Sequence, residues 1–264
     1  MNVIVPIKQV PETEIRVKIA ADGRSLDLTG VKMEVNPFDE IAIEEALQLK
    51  EKAGEGSVTV ITVGDAGSTQ ALRTGLAMGA DAAVRIKLEE AAGCDSFALA
   101  SLLAVAIKDR PYELIICGKQ AIGTDNGQVP QMLAVLLGLP VVTTVSKLEI
   151  AGGGFTAHRQ IEGMTEVVEA ALPAVVSAEK GLNEPRYPSL KGIMAAKRAQ
   201  IEEISPADLD VDPGILAEEG AAMELTGIEM PPPRGEGILI EAGDDPAGAA
   251  AKLVDWMRNE AKVI

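Results

Sequence analysis

Residues 113–137 read ELIICGKQAIGTDNGQVPQMLAVLL. The run Glu113–Cys117 is short, apolar and bounded by turn residues, as a buried strand is. Val129–Leu137 has the composition and spacing of a helix that starts next to a proline. Between them lies a loop with glycines at 118, 123 and 127. A strand followed by a glycine-rich loop and a helix is half of a β/α unit. Glycines let backbone N–H groups approach a ligand, Thr124, Asn126 and Gln128 add side-chain donors, and the following helix N-terminus attracts anions. The same pattern also occurs as a plain connecting turn. It is not a GxxxxGK[ST] phosphate loop, and no GxGxxG follows the first strand, so an NAD-type site is not supported.

Outward from this unit the alternation repeats. Apolar β-type runs occur at Asn2–Ile7, Ser57–Val63 and Ala83–Lys87, and helical patterns at roughly Asp39–Ala53, Ser68–Met78 and Asp95–Lys108. Such alternation predicts an α/β fold with a parallel sheet covered by helices on both faces. In the first helix Asn36 is placed to cap and Pro37 suits the first turn. Ala42, Ile43, Ala46, Leu49 and Ala53 form the inner face, while Glu44, Gln48, Glu51 and Lys52 face water. After Leu139-Pro140 the reading changes to strands at Val141–Ile150, Phe155–Ile161 and Thr165–Ala170, the first two joined by a turn at Ala151-Gly152-Gly153-Gly154. An apolar run at Leu172–Val176 reads as one more buried strand. From Ile201 the chain is acidic, irregular and proline-rich. It ends in an amphipathic helix over Pro246–Lys262, with Leu253, Trp256 and Met257 on one face. The expected organisation is an α/β core domain over 1–180, a proline-rich loop and following helix over 181–200, and a long tail over 201–264.

The chain has 264 residues and a net charge of −16, with 47% hydrophobic residues and 2% aromatics. The core must therefore be built from Ala, Val, Leu and Ile. A pI near 4.5 argues against nucleic acid and against anionic membrane surfaces. The two cysteines, Cys94 and Cys117, make neither a CxxC pair nor a disulfide framework. His158 is the single histidine. With no HExxH or Gly-x-Ser-x-Gly pattern, neither metal catalysis nor a serine nucleophile is expected. No signal peptide and no membrane span is legible.

The stretch Gly181–Met194, GLNEPRYPSLKGIM, carries the second message. Pro185 and Pro188 exclude a helix or a central strand between them. Arg186 and Tyr187 are of types enriched at binding hot spots. Leu190, Ile193 and Met194 add apolar anchors ahead of Lys197-Arg198. From the residues alone this is either a docking surface or an ordinary proline-rich connection.

LNEPRYPSLKGIMAAKR closely resembles the signature of electron transfer flavoprotein β subunits. So do Val5–Pro11, Asn36-Pro37-Phe38-Asp39, Ala77–Asp81 and Gly118–Ile122, and the resemblance spans nearly the whole chain. It implies a Rossmann-like three-layer fold with universal-stress-protein-like topology, an added β-hairpin region and a C-terminal arm wrapping an α subunit. It further implies an electron carrier and not an acid–base enzyme. An FAD would be held mainly by the α subunit, and electrons would pass from acyl-CoA-type dehydrogenases to a quinone reductase or other acceptor. In this chain the resemblance implies an AMP site formed by Pro6, Asn36, Pro37, Phe38, Asp39, Asp65, Gly118, Gln120, Ala121, Thr124, Asp125, Gln128 and Val129. The docking residues would be Arg186, Tyr187, Leu190, Ile193 and Met194, with Leu190 as the anchor. Gln160 and Met164 depart from an acidic residue and a glycine typical of the family, which implies looser or differently set closure of the mobile flavin domain. Two alternatives stand beside this reading. One is an electron-bifurcating, NADH-oxidising form with a second FAD in place of AMP. The other is an adenine-nucleotide sensor of the universal-stress type. The expected compartment is the bacterial cytoplasm, with the mitochondrial matrix as the alternative.

Overall fold

The computed structural model describes residues 1–89, 94–216, 221–223, 225–233, 235 and 237–264. Two compact units divide the chain: Met1–Lys18 with Leu26–Thr226, and Ile19–Ser25 with Gly227–Ile264.

The larger unit runs β1 (Val3–Pro6), β2 (Gln9–Pro11), β3 (Met33–Val35), α1 (Pro37–Ala53), β4 (Val58–Gly64), α2 (Thr69–Met78), β5 (Ala82–Lys87), α3 (Ser96–Lys108), β6 (Leu114–Gly118), α4 (Val129–Leu137), β7 (Val141–Ala151), β8 (Gly154–Ile161), β9 (Met164–Ala171), β10 (Ala174–Ala178), α5 (Leu190–Arg198) and β11 (Glu202–Ile204). Among the described residues nine strands form one sheet in the order β11-β5-β4-β1-β6-β10-β7-β8-β9. Pairing is parallel from β11 through β7 and antiparallel from β7 through β9. The α/β reading and the parallel sheet are therefore as the sequence predicts.

The central strands are buried on both faces, which is why they read as apolar runs without alternation. Val3, Val5, Leu114, Ile116, Ala174 and Val176 pack toward α1 and α2, whose Ile43, Ala46 and Leu72 meet them. Ile4, Ile115 and Val175 point the other way, onto Leu102 and Ile107 of α3 and Leu133 of α4. Three layers result. The β7–β8 turn places Gly152 and Gly153 at φ 59° and 82°, a two-residue connection that needs glycine at both positions.

Chain order and sheet order part company at β1. From β1 the chain moves to β4 and β5 on one side, then returns through α3 to β6 on the other. The gap between the C-terminal ends of β1 and β6 is thus the topological switch point, where open α/β sheets bind ligands.

Several local expectations change. Asn36 occupies the cap position of α1, but its side chain makes no cap hydrogen bond. Its amide is turned to the loop after β6 instead. Glu44, expected to face water, is buried, because the segment after β10 crosses over it. Three short strands have no counterpart in the sequence reading: β2 and β3, which pair with each other, and β11. The β11 strand is acidic and has no apolar rhythm. Its ladder with β5 and the ion pairs Arg85–Glu203 (2.7 Å) and Arg110–Glu202 (2.5 Å) hold it at the sheet edge.

The smaller unit carries α6 (Pro246–Asn259), whose N-terminus is capped by Asp245, the carboxylate accepting from Gly248 N at 2.9 Å. Leu253 and Val254 are exposed on it. Among the described residues no helix is long and apolar enough to cross a membrane.

Candidate functional site

A cavity of about 430 Å³ opens at the switch point. The ends of β1 and β6 supply Pro6, Ile7, Lys8 and Gly118, and the end of β4 supplies Gly64 and Asp65. The loop after β6 supplies Lys119, Gln120, Ala121, Thr124, Asn126, Gly127 and Gln128, and α4 begins there with Val129 and Pro130. Of the residues expected at a nucleotide site, Pro6, Asp39, Asp65, Gly118, Gln120, Ala121, Thr124, Gln128 and Val129 share this wall.

Asn36, Pro37, Phe38 and Asp125 do not line it, and three of them hold what does. Asn36, 1% exposed, donates from Nδ2 to Gln120 O (2.8 Å) and accepts from Ile122 N (3.2 Å), so it fastens the loop to the start of α1. Asp125, at φ 49°, accepts from Gln120 Nε2 at 2.9 Å. Phe38 lies 5.9 Å beneath the Lys119 ammonium, which is itself ion-paired with Glu179 at 2.7 Å. The loop reverses through left-handed residues at 123, 125 and 127, and the glycines at two of these make that turn accessible.

The sequence reading missed one wall. Ser96, Leu99 and Leu103 of α3, with Cys94 ahead of it, complete the cavity. These residues are remote in sequence and arrive by the crossover to β6. The signal that could have found them is Asp95, whose carboxylate accepts from Ala98 N at 2.8 Å and so marks the start of α3 at this end of the sheet. Asn126 Nδ2 reaches Ser96 Oγ at 3.3 Å, tying the loop to α3. The N-termini of α3 and α4 therefore converge on the cavity, and both favour negative charge.

Asp39 is the most perturbed acid of the site. It is 6% exposed, and burial pushes its carboxyl up to about 7. Hydrogen bonds from the Lys8 N–H (2.7 Å), from Asn36 and from the Gly118 N–H only partly offset this. Burial, assisted by the charge of Asp39, also pushes the Cys117 thiol up, so it is a protonated wall group and not a nucleophile. Among the described residues no cluster of His, Cys, Asp and Glu could hold a metal ion. His158 sits in the β8 ladder opposite Val167 and Lys147, away from the cavity wall.

The second expected site is a surface. Tyr187 and Leu190 are 96% and 78% exposed, and Ile193 and Met194 are exposed beside them on α5. Arg186 is not free alongside them: it is folded back onto α1. Gln160 is on β8, donating to Ser146 Oγ and Thr165 Oγ1.

The family described as the electron transfer flavoprotein domain matches residues 25–209. The chain is 44% identical over 267 residues to the electron transfer flavoprotein subunit beta of Bacillus subtilis, all of both chains being covered. It is 40% identical to that of Bradyrhizobium diazoefficiens, again over the whole of both. It is 36% identical to the human one, over 93% of this chain and 94% of that one. With most of its length matched by the domain and its whole length by such relatives, the chain belongs to the electron transfer flavoprotein family, among its β subunits.

Proposed function

We propose that this chain is the non-catalytic half of a heterodimeric electron carrier of the bacterial cytoplasm. It holds AMP as a structural ligand at the switch point and docks acyl-CoA-type dehydrogenases through Leu190. Its α subunit holds most of the FAD through which electrons pass to a quinone reductase or another acceptor. The arm over 201–264 embraces that α subunit.

The observation that carries this reading is the cavity itself. Its volume falls in the usual range for small-molecule sites, roughly 300–1,000 Å³. The residues fit a nucleotide monophosphate. Two helix N-termini and the loop amides at 124–128 suit a phosphate. Asp39 and the ends of β1 and β4 supply polar edges for a base or ribose. Pro6, Gly118, Gln120, Ala121, Thr124, Gln128 and Val129 would surround the ligand, and Asn36 and Asp125 would hold the loop around it.

The test is co-expression with the α subunit, followed by extraction and chromatography of bound nucleotides. One FAD and one AMP per heterodimer is the expected result. Two FAD and no AMP would replace this reading with the bifurcating one.

A further inference from the structure

The segment that leaves β10 is clamped at both ends. On α1, the Arg186 guanidinium donates from Nε to Glu44 Oε2 (2.7 Å) and from Nη2 to Glu44 Oε1 (3.1 Å). It also donates from Nη1 to Glu51 Oε1 (2.6 Å) and from Nη2 to Glu51 Oε2 (3.1 Å). Four of its five N–H donors are thus engaged inside the chain. The Arg186 backbone N–H adds a bond to Glu44 at 3.2 Å. Asn183 Nδ2 donates to Ile41 O (3.1 Å) and to Glu45 Oε2 (3.0 Å). At the far end Arg73 of α2 donates to Ala196 O at 2.5 Å, and Gly192 lies so close to the Ala77 carbonyl that a Cβ there would collide with it. Between the clamps Tyr187 and Leu190 stand almost free of the rest of the chain.

A hot-spot arginine needs donors to offer its partner. This one has spent them on two carboxylates seven residues apart on one face of α1, and Glu44 is only 4% exposed. The planar fork suits such paired carboxylates, which a lysine would not reproduce. We infer that Arg186, with Asn183, is a positioning residue that seats the loop on α1 and presents Leu190 and Tyr187 in one orientation, and that it does not itself touch the dehydrogenase. The inference rests on the docking role proposed above for Leu190. A loop held in its binding form does not have to be ordered when the partner arrives, and that saving appears as affinity.

The experiment uses the heterodimer as electron acceptor of an acyl-CoA dehydrogenase reduced with butyryl-CoA. Arg186→Ala, Glu44→Gln and Glu51→Gln should each raise the KM for the heterodimer, about three- to tenfold for the first, with the effect in KM rather than kcat. Arg186→Lys should fall between wild type and Arg186→Ala. In a Leu190→Ala background Arg186→Ala should add little, because the anchor it presents is gone. Amide hydrogen exchange over 187–194 should quicken in Arg186→Ala and stay unchanged in Leu190→Ala. If Arg186→Ala disturbs folding, Glu51→Gln, at an exposed carboxylate, carries the same test. An effect of Arg186→Ala that the glutamate variants do not reproduce, or that adds fully to Leu190→Ala, would overturn the inference and make Arg186 a direct contact. Unchanged exchange would also overturn it. If Leu190→Ala leaves KM unchanged, the docking reading itself fails and the positioning role falls with it. If Leu190→Ala raises KM and the Arg186 and glutamate variants do not, docking stands and the positioning role is wrong.

Discussion

Asp39 and Glu44 lie five residues apart on one helix and respond to burial in opposite ways. Burial dominates at Asp39 and lifts its carboxyl to about 7 from 3.8. At Glu44 burial also pushes upward, but the hydrogen bonds from Arg186 and Gln48 outweigh it and hold the carboxyl below the usual range. The stability consequences have opposite signs. Asp39 binds its proton more tightly when folded. Its contribution is complete below about pH 4 and is lost as pH rises through about 7. The Glu44–Arg186 pair contributes above pH 4.5 and is lost on acidification. Acidification below pH 4.5 weakens the Glu44–Arg186 pair, whereas the Asp39 contribution is lost on the alkaline side, up to about pH 7. Between pH 5 and 8 the melting temperature should therefore fall more in wild type than in Asp39→Asn, by a few degrees; equal slopes by scanning calorimetry would show that Asp39 is not the responsible group. Gly118 is tied to the same carboxyl. A Cβ there would run into Asp39 and come within 2.9 Å of the Phe38 backbone. Gly118→Ala should cost about 1–3 kcal/mol in denaturant unfolding and should strip the nucleotide from the purified heterodimer.

At the scale of elements, α1 does the most. Asn36, at its cap position, holds the loop over the cavity, and the middle turns of the helix hold the loop that carries Leu190. Periodicity located this helix to within two residues, yet it could not assign Asn36 or Glu44, because their partners lie 84 and 142 residues away along the chain. The α5 helix shows the same division. Ser189, a residue type favoured at helix starts, caps it by accepting from Gly192 N at 3.0 Å, a pairing that is local in the sequence. The need for Gly192 at the contact with α2 is not local. Gly192→Ala should improve the intrinsic helix propensity of α5 and still destabilise its seat on α2 by about 1–3 kcal/mol. Faster exchange of the α5 amides, with the core amides of β1 and β6 unchanged, is the expected signature.

For the whole molecule, the acidic balance and the cavity together decide what the chain can hold. A net charge of −16 opposes any anion in solution, so binding a phosphate requires a local reversal of field. The converging starts of α3 and α4 provide it. A ligand that binds only the folded form stabilises it by mass action, by about 2.7 kcal/mol at a hundredfold excess over Kd. Heterodimer stripped of nucleotide should melt several degrees lower, and added AMP should restore the melting temperature. Absence of any shift at millimolar AMP would argue against the structural-ligand role.

What the amino-acid order determined alone is everything that short-range physics controls. The helical and strand periods, the apolar central strands, the turn at Gly152-Gly153, the absence of catalytic motifs and the signature stretch at 181–194 were all legible there. The nine expected site residues that line the cavity came from the family resemblance, and those in the loop after β6 also stood out as a glycine-rich strand-to-helix connection. Tertiary structure alone decided which partners meet. It brought α3 in as a wall of the cavity, turned Asn36 from a helix cap into a loop clamp, buried Glu44 under Arg186, and fixed the acidic β11 to the sheet edge. These outcomes depend on contacts between residues far apart in the chain. No local pattern encodes them, because hydrogen bonds and ion pairs of that kind are chosen only once the sheet order and crossovers have placed the two sides together.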